Sequence, residues 1–179
     1  MARNRSSNGL LTPASFALVA MAWVNVGSLH AEDFKTLKGH SEIKRSAPKG
    51  SYNFVESVEG DARVMIRNAA KVDFYTSPTW AFHDGSKIDG DAKVLLEAQE
   101  LTFNGKIDGH ALVLIIIPKG GKVVFKQKID GHAKVFWCTA AVGDPRPDPR
   151  PAAVNGTATF EEVSLEQMNS MIREHMPKD

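Results

Sequence analysis

The chain holds a single cysteine, Cys138, in 179 residues. That excludes an internal disulfide. A lone thiol in an exported chain is either shielded or paired with another chain. Shielding is the expectation, because free cysteine behaves as a small hydrophobe. An excess of one charge is also lacking, since 22 Lys+Arg stand against 21 Asp+Glu. No basic block interleaves with aromatics, so nucleic acid is not an expected partner. There is no Ser/His/Asp or Cys/His motif with local context, no Gly-rich phosphate loop and no dinucleotide fingerprint. The chain is therefore not expected to be an enzyme, and no cofactor is implied.

An uninterrupted apolar run of about 20 residues, as a bilayer span requires, is absent too. The longest candidate begins after Arg3 and Arg5 and has no charged side chain from Ser6 to Ala31. Thr12, Pro13, Ser15 and Asn25 interrupt it, and only Phe16 to Val24 is continuously apolar. Leu29-His30-Ala31 then offers a small residue ahead of Glu32 and Asp33. A basic start, a short apolar centre and a processing site read as a secretory signal peptide over residues 1–31. The alternative is an uncleaved signal, the one route by which this chain would touch a membrane. Cleavage removes two arginines and no acid, taking the formal charge from +1 to −1. What remains, about 150 residues, suits one domain with its own core. The expected location is secreted or periplasmic.

What the chain does have is a motif repeated four times. It reads Val58-Glu59-Gly60-Asp61-Ala62, Ile88-Asp89-Gly90-Asp91-Ala92, Ile107-Asp108-Gly109-His110-Ala111 and Ile129-Asp130-Gly131-His132-Ala133. Each copy leads into an alternating strand pattern such as Val64/Ile66 or Val113/Ile115, and then a second one such as Val72/Phe74, Leu101/Phe103 or Val123/Phe125. Period-two alternation marks strands with one face buried. The glycines fit a bend that needs a positive φ. Recurrence in this form means one unit stacked on copies of itself.

Three short strands per unit, with variable insertions, predict an all-β fold. The expectation is a short right-handed parallel β-helix of about four coils with a C-terminal capping α-helix. A left-handed hexapeptide helix does not fit the irregular spacing of the copies. The rival is an antiparallel sandwich, which gives no reason for the motif to recur. Residues 32–51 read as a polar flexible lead-in, 52–163 as the repeat domain and 164–179 as the C-terminal helix. Ser164 with Gln167 forms a capping box, and Leu165, Met168, Met171 and Ile172 share one helical face. Two insertions interrupt the repeats, Tyr75 to Ser86 and the proline-rich Gly143 to Pro151.

Stacking turns equivalent residues into columns. Glu59, Asp89, Asp108 and Asp130 make an acidic column, with Lys87, Lys106 and Lys128 beside it. This reads as a solvated surface with local charge pairing, or as a charge lattice facing a polymer or mineral. His110 and His132 fall one coil apart. With Asp108 and Asp130 they form a candidate metal site, since neutral imidazole is a common ligand; ordinary turn residues are the plainer reading. Trp80, Phe82 and His83 in the first insertion are candidate ligand-binding residues for a carbohydrate. If the alternate valines point inward, Met65, Leu95, Leu114 and Phe136 form an apolar stripe on the outside. Such a stripe is normally covered. The C-terminal helix can cover it, or a partner protein or second copy can use it as an interaction stripe. Polysaccharide-cleaving β-helices need a long groove on many more coils.

The repeats from about Phe54 to Trp137 resemble two bacterial families. One is the GIN domain, a head domain of autotransporter adhesins and other exported proteins. Its recurring turn is of the type Val-x-Gly-Ser-Gly-Asp-Val. Val58-Glu59-Gly60-Asp61-Ala62 and Ile88-Asp89-Gly90-Asp91-Ala92 look like a shortened form without the Ser-Gly, and His110 and His132 replace its Asp. The other is the bactofilins, polymer-forming β-helix proteins with Ile-x-Gly-x-Val-x-Gly repeats, which act in the cytoplasm or at the inner membrane. The resemblance implies a β-helix and an adhesin-like or scaffolding role at the bacterial cell envelope. Expected partners are a second copy of the chain, an envelope protein or a polysaccharide. The alternative function is a metal- or carbohydrate-binding module.

Overall fold

The computed structural model of the protein describes residues 31–47, 50–74, 87–140 and 147–177. Residues 1–30, all but the last of the expected signal peptide, and the Tyr75–Ser86 insertion with Trp80, Phe82 and His83 lie outside the described residues. Each motif copy makes one parallel β-bridge to the next, in the order Leu37, Val58, Ile88, Ile107, Ile129, Val154. This column is the first face of a β-solenoid of about five turns.

The second face is a parallel ladder that follows each motif. It contains β2 (Glu42–Ser46), the first half of β4 (Arg63–Phe74), the first half of β5 (Lys93–Phe103), β6 (Leu112–Ile117), β8 (Lys134–Thr139) and β9 (Thr159–Glu162). The third face holds β1 (Glu32–Phe34), β3 (Ser51–Phe54), the second halves of β4 and β5, and β7 (Lys122–Phe125). All of these pairs are parallel, which excludes the antiparallel sandwich. The expected three short strands per unit are not all separate, because β4 and β5 each run through two faces as one long strand. Their registers shift between Ile66 and Ala69, where β4 carries an extra residue. Asn68 absorbs it with φ 56°, a conformation that asparagine tolerates better than most side chains.

Residues 32–46, expected as a flexible lead-in, instead form strands of the first coil. Phe34 packs on Phe54, and β2 pairs with β4. Arg45 helps to hold this coil, bonding Glu32 at 2.6 and 2.9 Å and lying 5.6 Å from the centre of the Phe34 ring. The guanidinium keeps the Glu32 carboxyl below its usual range.

The core follows from strand alternation. Val64, Val94, Val113 and Val135 stack in register and are fully buried. On the third face Phe34, Phe54, Phe74, Phe103 and Phe125 form a column with ring centroids 5.0, 4.6, 5.0 and 4.7 Å apart. Phe160 closes it edge-on to Phe125 at 5.4 Å. Aromatic pairs at these centroid distances contribute about 0.5–1.5 kcal/mol beyond the area they bury.

The single helix among the described residues, α1 (Leu165–His175), starts where its capping box places it. Gln167 N–H donates to Ser164 Oγ at 3.1 Å, and Ser164 N–H donates to Gln167 Oε1 at 2.8 Å. The helix packs on the outward stripe. Met168 and Met176 join Met65, Leu95, Leu114, Ile116 and Cys138 in a second buried cluster.

Candidate functional site

The repeated turn supplies the candidate site, and its geometry is copied from coil to coil. Gly39, Gly60, Gly90, Gly109, Gly131 and Gly156 all have φ between 60° and 68°. They also stack closely. A Cβ on Gly109 would stand 2.7 Å from the Gly90 nitrogen, and one on Gly156 would stand 2.8 Å from the Gly131 carbonyl oxygen. The backbone bonds the coils directly: His110 N–H donates to the Gly90 carbonyl and His132 N–H to the Gly109 carbonyl, both at 2.8 Å.

The aspartate before each glycine has two jobs. Its Oδ1 accepts the N–H of the following glycine, at 2.7 Å for Asp89, 2.8 Å for Asp108 and 2.9 Å for Asp130. Its Oδ2 meets the lysine two residues earlier: Lys87–Asp89 and Lys106–Asp108 at 2.9 Å, and Lys128–Asp130 at 2.6 Å. Lys87 also approaches Glu59 of the neighbouring coil at 3.7 Å. The Lys87 hydrogen bond, aided by Gly90 N–H, holds the Asp89 carboxyl below its usual range against the effect of burial. Lys128 and Gly131 do the same for Asp130. In turn Asp89 raises Lys87. The acidic column is thus a set of locally neutralised turns. Exposed pairs of this kind contribute little to stability.

His110 and His132 do fall in one column, with rings stacked 4.8 Å apart and 12° from parallel. His132 Nδ1 contacts the Thr157 hydroxyl in the next coil. The expected metal set is not assembled, however. Asp108 and Asp130 turn to their lysines and glycine amides. Among the described residues no group of three or more His, Cys, Asp or Glu is placed to hold a metal ion.

The stripe is likewise not left for a partner. Leu95 and Leu114 are 0 % exposed and Met65 5 %, while Phe136 is half-buried beside them. Wholly burying a leucine is worth about 1.5–3 kcal/mol, so this seat anchors the helix firmly. Leu165, expected on the packed face, is 42 % exposed; Met176, past the last helical residue, is buried instead. Cys138 lies in the same cluster, as its shielding required. Burial pushes its thiol up to about 11, with Glu162 and Glu97 adding to the shift. Among the described residues no helix is long and apolar enough to cross a membrane.

Two further turns of the column escape the sequence reading, one at each end. Leu37-Lys38-Gly39-His40-Ser41 and Val154-Asn155-Gly156-Thr157-Ala158 occupy the first and last places in the bridge column. Both lack the acid before glycine that makes the four inner copies conspicuous. The apolar residue two places before a glycine, followed by alternating residues, was the signal available. Comparison with known proteins finds no matching family, no matching curated protein and no matching solved structure.

Proposed function

We propose that this chain is an exported, non-catalytic β-solenoid that acts as a binding or scaffolding module at the bacterial cell envelope and associates with copies of itself. One observation carries the reading. Among the described residues the second-face ladder ends at both poles on a strand with a single neighbour, β2 on β4 and β9 on β8. A strand edge is a template for another chain unless it is blocked. The signal-like N-terminus supports export. The metal alternative is the weaker reading, because Asp108 and Asp130 bond lysines and glycine amides.

Two measurements on the chain expressed in an exporting bacterial host test this. Intact mass of the exported protein is expected to show residues 1–31 removed. Light scattering after size exclusion is expected to show growth with concentration that EDTA does not change. A chain retained in the cytoplasm contradicts the envelope role. A monomer at every concentration contradicts self-association, and dissociation by EDTA returns the metal reading.

A further inference from the structure

The two poles of the solenoid match each other in register, and we infer that the partner of each is the opposite pole of a second copy. This inference rests on the self-association proposed above and names its joint: the last coil of one copy, Val154 to Glu162, stacks on the first coil of the next, Leu37 to Arg45.

The internal registers determine what such a joint would bring together. Glu42, Ile43, Lys44 and Arg45 pair with Arg63, Val64, Met65 and Ile66. At the other pole Thr159, Phe160, Glu161 and Glu162 pair with Lys134, Val135, Phe136 and Trp137. The columns between run straight through β4, β5, β6 and β8. Continuing them by one step sets Ile43 on Phe160, Lys44 on Glu161, and Arg45, whose guanidinium also bonds Glu32 in its own coil, beside Glu162. Two columns that are apolar inside the molecule therefore end in a cation at one pole and an anion at the other. Like charges would oppose stacking; these opposite pairs favour it and fix the register.

The first face agrees. Leu37 and Phe160 are half-buried, and Val154 is 44 % exposed. Leu37 on Val154 continues the column of bridging apolar residues. The backbone pattern also continues. Inside the molecule the residue after each bridging position donates to the bridging carbonyl one coil back, as Asp108 N–H does to Ile88 O at 2.8 Å. The next step places Lys38 N–H on Val154 O.

Gly39 gives the sharpest indication. A Cβ on each inner turn glycine points at the preceding coil and meets it, whereas one on Gly39 would meet nothing within 4 Å. At the joint that open space belongs to Gly156 of the other copy. The contact is head-to-tail and does not close on itself, so it propagates as a filament. The third face adds little, because Pro147, Pro149 and Pro151 follow β8 and lack the N–H that pairing with β1 needs.

The test uses the full chain recovered after export. Proteins carrying Lys44→Cys and Glu161→Cys are mixed and oxidised. A covalent pair containing one of each is expected, because residues facing across a parallel ladder lie within disulfide reach. Mixing Lys44→Cys with Thr159→Cys, two positions out of register, is expected to give at least about tenfold less. Gly39→Asn keeps a residue that tolerates positive φ but fills the open space. It is expected to melt like the wild type and yet weaken assembly about tenfold or more. If the wild type is monomeric throughout, both the joint and the self-association are wrong. If the wild type assembles while Gly39→Asn assembles equally and the cysteines do not couple, the joint alone is wrong.

Discussion

Gly109 sits so close over Asp89 that a Cβ added to it would lie 2.6 Å from the Asp89 Oδ1. The same oxygen accepts the Gly90 N–H at 2.7 Å. The turn glycine is therefore fixed twice, by its φ of 67° and by its neighbour.

Those two demands separate experimentally. Gly120 has φ 74° and open space around a Cβ. Gly120→Ala is expected to cost about 1–2 kcal/mol, the left-handed conformation alone. Gly109→Ala carries that cost and a backbone clash, and is expected to lose about 3 kcal/mol or more. Urea unfolding of the two variants measures the difference. Equal losses would mean that the coils yield enough to admit a methyl group.

Met168 is 0 % exposed in the seam between α1 and the stripe. Met168→Ala is expected to destabilise the protein by about 2–5 kcal/mol. It should also increase binding of an apolar dye, because loosening the helix uncovers Leu95 and Leu114. An unchanged melting curve and dye signal would show that the helix is held by other contacts.

Acid should destabilise the folded chain through Asp89. Lys87 and the Gly90 amide lower Asp89, so ionised Asp89 stabilises the folded state. That contribution is fully present above the unfolded carboxylate range, near pH 4, and is lost as pH falls through the lower folded value. Stability is expected to be flat from pH 6 to 8 and to fall below about 4. Asp89→Asn should make the acid limb shallower, as read by melting temperature across a pH series. A slope identical to that of the wild type would remove Asp89 from the account.

The Cys138 thiol is 1 % exposed and raised to about 11. At pH 8 a thiol reagent is expected to leave the native protein unmodified and to label it fully in denaturant. Rapid native labelling would contradict the sealed seam.

Four inner turns were readable because Ile/Val-acid-Gly-polar-Ala survives in each. The two outer turns keep apolar-x-Gly but carry Lys38 and Asn155 in place of the acid. Within one molecule a terminal coil stacks on one neighbouring coil, so fewer of its positions are constrained by the chain's own packing. The covered stripe and the capping box were legible from periodicity. Met176 was not, because it lies beyond the helical repeat that would have counted it. The histidine column was also legible. The direction of Asp108 and Asp130 was not, because a bond to the adjoining glycine amide sets it, and residue spacing carries no record of that bond.

The phenylalanine column has a consequence for size. Its rings repeat at nearly constant spacing although the bridging residues Val58, Ile88, Ile107 and Ile129 are separated by 30, 19 and 22 residues. The axial step stays the same whatever number of residues separates successive rings. The molecule is a ruler graduated in aromatic rings: its length counts coils and ignores how much chain each coil consumes.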